Sequence, residues 1–157
     1  LRQPFLINDV AMQHNLLDRR MVYKILKANG VSTPRHVVLN EEDRNEETLR
    51  ESDDWIEVHG VKFNKPVVEK PVDAEDHNIY IYYPMSAGGG SKRLFRKVNN
   101  RSSEFYPDDN ALRGHDPTRS FIYETFLHTQ GTDVKVYTCV STHSVARTMD
   151  IEGRTRV

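Results

Sequence analysis

Three consecutive glycines, Gly88, Gly89 and Gly90, are followed at once by Lys92, Arg93, Arg96 and Lys97. Consecutive glycines accept positive φ and let backbone N–H groups approach an anion. Cations directly downstream, with Arg101 extending the run and no acid between 92 and 101, suit a phosphate-rich ligand. A hairpin tip beside a solvated face is the plainer reading of the same residues. Lys70 closes an apolar run as Glu69-Lys70-Pro71, where a packed stem presents an ammonium to a cleft. Surface lysine is its ordinary alternative. Asp76-His77 offers either a phosphate donor or a simple loop histidine. Asp133, Lys135 and Tyr137 alternate with Val134 and Val136, placing an acid and a base on one face of a strand and an apolar stripe on the other. That pattern is either the floor of a polar cleft or a solvent-facing sheet.

The elements that must position these groups are mostly strands. Met12, Leu16, Leu17, Met21, Ile25 and Leu26 recur at helical spacing and predict one helix with a core-facing stripe, stopped by Asn29-Gly30. Residues 31–39, with Pro34, read as an irregular stretch and a short strand. Trp55 to Val58 and Val61 to Phe63 flank His59-Gly60 as a tight hairpin. Strands are expected at 67–70, 78–83, 93–98, 121–126 and 133–140, with 86–91 a turn, 103–120 a polar loop, and a turn through Gln130-Gly131. Strand alternation turns Arg93 and Phe95 one way and Lys92, Leu94 and Arg96 the other. Strand 121–126 is expected beside strand 133–140, its apolar end and backbone groups suited to a nucleobase. With few helix signals in the C-terminal part, the fold class is α+β.

Composition sets the limits. The chain has 157 residues, 37% hydrophobic and 29% charged, with 22 Lys+Arg against 23 Asp+Glu. No stretch approaches the roughly 20 apolar residues of a membrane span. Cys139 alone excludes a disulfide scaffold, fits a reducing intracellular compartment, and reads as a buried small residue in an apolar strand. Charge is unevenly spread: residues 41–57 hold nine acids against Arg44 and Arg50, a solvated loop or insertion by composition. There is no P-loop, no GxGxxG after a strand, no HExxH and no paired-cysteine metal site. The chain opens at Leu1 and stops at Val157 after a strand-like run, so it is expected to be a piece of a longer protein.

Long runs of the sequence resemble the ATP-grasp kinase domain of the diphosphoinositol pentakisphosphate kinases. They are Val68-Glu69-Lys70-Pro71-Val72, Ala74-Glu75-Asp76-His77-Asn78, Tyr80-Ile81-Tyr82-Tyr83-Pro84, Ser86-Ala87-Gly88-Gly89-Gly90-Ser91 and Arg93-Leu94-Phe95-Arg96-Lys97. Leu6-Ile7-Asn8-Asp9, Asp18-Arg19-Arg20, Arg101-Ser102-Ser103 and Gly131-Thr132-Asp133-Val134-Lys135-Val136-Tyr137-Thr138 match in the same order.

The resemblance implies an inositol polyphosphate kinase that uses ATP and Mg²⁺. Its substrates are inositol hexakisphosphate and 5-diphosphoinositol pentakisphosphate, phosphorylated at position 1. It implies an α+β ATP-grasp fold of antiparallel sheets with flanking helices, incomplete at both ends. Residues 1–40 are then a helix-rich entry segment, 41–57 an acidic insertion, 58–126 the β-rich nucleotide-clasping part with the glycine loop, and 127–157 the start of the C-terminal part. Catalysis falls to the cations Lys70, Arg96 and Lys135. ATP is expected at Arg19, Lys70, His77, Gly88, Gly89, Gly90, Arg96, Glu124, Thr125, Phe126, Leu127 and Asp133, and substrate at Arg96, Lys97, Lys135 and Arg147. Departures exist too. Glu124-Thr125 stands where Glu-Glu is common, and the stretch after Tyr137 is shortened, which weakens the Arg147 match. The Asp-x-Asn metal motif and an upstream substrate-binding lysine pair are missing, so metal ligands are expected elsewhere and this segment is expected to be inactive alone. A phosphatase-like domain is expected downstream, in a cytosolic protein. The alternatives are a non-catalytic inositol-phosphate or nucleotide-binding module, and a single-stranded nucleic-acid binder. The second is disfavoured because Glu69, Asp76 and Asp133 would line its groove.

Overall fold

A computed structural model describes residues 9–45 and 47–130, and the backbone pairing of 132–133, 136–137, 145–146 and 149–150. The chain divides into two compact units, Leu1–Phe126 and Leu127–Val157. In the first, helix α1 (Arg19–Ala28) precedes β1 (His36–Leu39), β2 (Leu49–Glu51), β3 (Trp55–Val58), β4 (Val61–Asn64), β5 (Val67–Pro71), β6 (Ile79–Tyr82), β7 (Ser91–Val98), β8 (Arg101–Tyr106) and β9 (Phe121–Thr125). In the second, β10 (Thr132–Asp133) pairs with β13 (Met149–Asp150) and β11 (Val136–Tyr137) with β12 (Val145–Ala146), both antiparallel. Antiparallel sheets with one α-helix among the described residues make the class α+β, as the sequence predicts.

The main sheet has six antiparallel strands in the order β1-β9-β5-β6-β7-β8. Strand β9, expected beside the strand 133–140, instead lies between β1 and β5, which occupy both of its edges. A smaller sheet, β2-β3-β4, contains the expected hairpin, where His59 (φ 49°) and Gly60 (φ 76°) supply the positive-φ pair of a tight turn. Leu39, Ile56, Val58, Phe63, Val67, Tyr82, Leu112, Phe121 and Tyr123 form one buried core between the two sheets. The acidic run 41–57 is therefore partly folded, since β2 and most of β3 come from it. Its outward positions carry the charge while Ile56 is buried, the alternation of a half-exposed strand.

Two further expectations change. The single helix across 12–26 is broken into a 3₁₀ segment (Ala11–Leu16) and α1, because the junction bonds to residues 72–74. Arg19 N–H donates to Val72 C=O at 2.9 Å, Ala74 N–H to Leu17 C=O at 2.8 Å, and the Asp18 carboxylate caps α1 by accepting from Arg20 N–H. Met12, Leu16, Leu17 and Met21, read as a core stripe, are exposed; only Ile25 and Leu26 of that set are half-buried. The polar loop expected across 103–120 begins later, since 103–106 belong to β8, an edge strand whose polar side chains hid it.

Register sorts the side chains onto two faces. The directly opposed residues His36, Glu124, Val68, Ile81, Lys92 and Phe105 form one row across all six strands. The next row, Val37, Tyr123, Glu69, Tyr80, Arg93 and Glu104, projects to the opposite, core-side face.

Candidate functional site

On the face opposite the core, Lys70 sits diagonally across from Glu124, two residues along β5 from Glu124's direct partner Val68. The two side chains form an ion pair, with the lysine 22% exposed and the carboxylate 5%. Tyr23, from α1, donates its hydroxyl to the other oxygen of Glu124 and accepts from Lys70 Nζ at 3.3 Å. Its ring packs on His36 with centroids 4.4 Å apart. Burial first, and the bond to Glu124 second, push the Tyr23 hydroxyl far above the usual tyrosine range, so it is a neutral donor. Val68 and Ile81 continue the row as an apolar floor, and Lys92 follows. Three inter-strand steps separate Glu124 from Lys92, about 14 Å.

At one end of the β6–β7 hairpin a cleft of about 680 Å³ is lined by residues 74–78 together with Leu16, Leu17, Arg93, Phe95, Arg96 and Val98. Here the structure brings together two residues that the sequence singled out: Arg96 Nη2 lies 2.9 Å from His77 Nε2. Arg93 donates twice to Asn78 Oδ1, at 2.8 and 2.6 Å, and stacks over Phe95. Alternation alone would send Arg96 to the other face. It still lines the same cleft as Arg93 and Phe95, because the β6–β7 register, with Ile79 opposite Leu94, runs on to set His77 against Arg96, just where the β7–β8 register shifts. Lys97 is exposed and does not line the cleft.

The loop that carries His77 is clamped from two sides. Arg19, half-buried, donates through its guanidinium to the carbonyls of Pro71 and Asp73, both at 2.6 Å, and Asp76 at 3.1 Å. Asp76 in turn accepts from Asn78 N–H and pairs with Arg119. Burial alone would raise the Asp76 carboxyl, but these donors hold it below the usual aspartate range.

The glycine loop adopts positive φ throughout (Gly88 100°, Gly89 67°, Gly90 85°), as its composition demands. Its amides are already engaged: Gly88 N–H with Met85 C=O, Gly89 N–H with Pro84 C=O, and Gly90 N–H with Asn110 Oδ1. The loop also caps the hairpin end at Tyr82 and Ser91, away from His77 and Arg96. Glu124 is buried within β9 and Thr125 N–H donates to Arg35 C=O, while Leu127 is exposed. Lys135 and Arg147, and the side chain of Asp133, lie outside the described residues.

Sequence reasoning missed Tyr23 and the role of Glu69. Tyr23 stands one helical turn after Arg19, a spacing that would have aimed it at the same strand end. Glu69, wholly buried beside Lys70 on the opposite face, accepts from Tyr82 Oη (2.9 Å), Tyr123 Oη (2.7 Å), Arg113 N–H (3.1 Å) and Gly114 N–H (2.8 Å). Burial pushes its carboxyl up, against the pull of those four donors. This junction fastens the loop after β8 to the strand that carries Lys70. Among the described residues no three His, Cys, Asp or Glu side chains converge as a metal site, and no helix is long and apolar enough to cross a membrane.

Comparison with known proteins gives a consistent result. The chain is 56% identical over 140 residues to human inositol hexakisphosphate and diphosphoinositol-pentakisphosphate kinase 2, covering 88% of this chain and 11% of that protein. It is 52% identical over 139 residues to the Caenorhabditis elegans kinase of the same name, covering 87% and 10%, and 52% identical over 140 to the Arabidopsis thaliana kinase VIP1, covering 88% and 13%. The chain thus spans about a tenth of the length of these curated relatives. No family model matches it.

Proposed function

Because the chain belongs to the inositol hexakisphosphate and diphosphoinositol-pentakisphosphate kinase family, we propose that it is the nucleotide-clasping segment of an ATP-grasp enzyme. That enzyme transfers the γ-phosphoryl group of ATP to inositol hexakisphosphate and 5-diphosphoinositol pentakisphosphate at position 1. The observation that carries this reading is the Lys70–Glu124 pair: an ammonium held at a strand end, partly exposed, over an apolar floor. ATP phosphates fit Lys70, with the base assigned to 124–127 and the ribose to Asp133. The inositol phosphate is assigned to Arg96, with Lys97, Lys135 and Arg147 as further cations, while His77 beside Arg96 is assigned to the nucleotide.

The chemistry matches such a donor set. The acceptor is a phosphate oxygen whose second pKa is about 6, so it is ionised at neutral pH and needs no general base. The barrier is repulsion between two polyanions, which fixed cations reduce by positioning and neutralising charge. Lys70 and Arg96 do this by holding phosphate oxygens, and the neighbouring Glu124 and His77 fix where those cations stand. Mg²⁺, when bound, would help neutralise the charge of the transferring phosphoryl group, but the described residues offer no ligand cluster for it. Its ligands, like the phosphatase-like domain, are assigned to other parts of a cytosolic parent protein.

The full-length protein carrying this segment is expected to convert inositol hexakisphosphate to an inositol pyrophosphate with ATP and Mg²⁺, and Lys70→Ala to cut that rate at least about 100-fold. An unchanged rate would leave a non-catalytic binding module as the correct reading. The purified 157-residue chain is expected to bind ATP weakly and transfer no phosphate; measurable turnover by it would refute that part.

A further inference from the structure

We infer that Tyr23 is a positioning residue for nucleotide binding: its hydroxyl holds Glu124 so that Lys70 is released to a phosphate. The inference rests on the ATP reading proposed above and concerns what happens at that site when ATP arrives. Among the described residues Glu124 has two side-chain partners on its two oxygens, the Lys70 ammonium on one and the Tyr23 hydroxyl on the other. The partners differ in access. The lysine side chain is 22% exposed and can swing toward a ligand, whereas the carboxylate is 5% exposed and must stay.

A buried carboxylate that loses its cation is costly unless hydrogen bonds carry the charge. Once Lys70 moves to a phosphate oxygen, the Tyr23 hydroxyl is the donor that the described residues leave on the Glu124 side chain. Its position is set by packing independent of the ligand, since α1 anchors through the Asp18 cap and Arg19, and the ring rests on His36. Tyr23 also accepts from Lys70 at 3.3 Å, so it lies beside the path along which the ammonium exchanges partners. Its bond therefore supports the nucleotide-bound state more than the free state. Without the hydroxyl, Lys70 is the one side-chain partner of Glu124 among the described residues, and ATP must compete with the buried carboxylate for the lysine.

The test is a double-mutant cycle in the full-length protein, read as the dissociation constants of ATP and of inositol hexakisphosphate by calorimetry. Tyr23→Phe keeps the ring on His36 and removes the hydroxyl. It is expected to weaken ATP about tenfold, the factor that a 1.4 kcal/mol loss of a charged hydrogen bond gives, and to leave inositol hexakisphosphate within about twofold. In a Glu124→Gln background there is no anion to hold, so the same change is expected to move ATP affinity less than about threefold. A general structural role would weaken both ligands in both backgrounds. Unchanged ATP affinity in Tyr23→Phe overturns the inference while the kinase reading stands. So does an equal loss whether Glu124 is intact or carries Glu124→Gln. Failure of the unmutated protein to bind ATP overturns both.

Discussion

Lys70 and Glu124, on adjacent strands β5 and β9, form an ion pair in which only the lysine reaches solvent. The asymmetry makes the lysine exchangeable and the carboxylate fixed, and it gives the pair a structural role besides its proposed nucleotide role. Lys70→Ala strands a buried carboxylate beside Tyr23 and is expected to lower stability by roughly 2–3 kcal/mol. Adding Glu124→Gln is expected to recover most of that loss. Urea unfolding of the four proteins of the cycle checks this, and additive losses would show that the pair is not coupled.

Glu69 faces the other way from Lys70 and gathers four donors. Glu69→Gln replaces one acceptor oxygen with an amide that confronts donors, leaving buried groups unpaired. The expected cost is about 3 kcal/mol, visible as a fall in the thermal midpoint. Hydrogen exchange at Arg113 and Gly114 should accelerate more than exchange in β3 and β4.

Gly114 packs where no side chain fits. A Cβ there would overlap Tyr123 Oη and stand 3.2 Å from Glu69 Oε2. Gly114→Ala is therefore expected to destabilise by about 2–4 kcal/mol. Tyr123→Phe removes the nearest obstructing atom, so the double variant should be more stable than Gly114→Ala alone. Denaturant midpoints of the three variants decide it.

Acid should weaken the clamp on the His77 loop. The Asp76 carboxyl is lower in the folded chain than in the unfolded one, so folding favours its ionised form. That stabilisation is present above the unfolded aspartate pKa of about 3.9 and is lost as pH falls through the folded value. The stability gap between the natural protein and Asp76→Asn should thus be full near about pH 6 and close below about pH 4. A gap independent of pH would remove Asp76 from the account. Glu69, raised by burial, works in the opposite direction: its contribution is present in acid and fades as pH rises.

Arg96 lines the cleft and Lys97 does not, although they are adjacent in sequence. Arg96→Ala is expected to weaken inositol hexakisphosphate about 10- to 100-fold, and Lys97→Ala by less than about fivefold, with both effects shrinking as salt rises. Calorimetric titration at two ionic strengths separates them; equal effects would point to diffuse attraction rather than a shaped site.

Most strands were legible along the chain, because alternation and turn chemistry are local: His59-Gly60 had to be a hairpin and the three glycines a positive-φ loop. The long matched runs likewise identified the family. What stayed hidden depended on which strands pair and in what register. Placing β9 between β1 and β5 is what brings Glu124 to Lys70, and no spacing along the chain encodes that distance. The register that sets Arg96 against His77 exists only once β6 and β7 pair, and the break before α1 exists only because its backbone bonds to residues 72–74. Glu69 reads as one more strand-end acid until the loop after β8 folds over it and supplies two backbone donors. Pairing across the sheet is a long-range event, decided by shared burial and hydrogen bonding, so a list of cations became a site only when the sheet assembled.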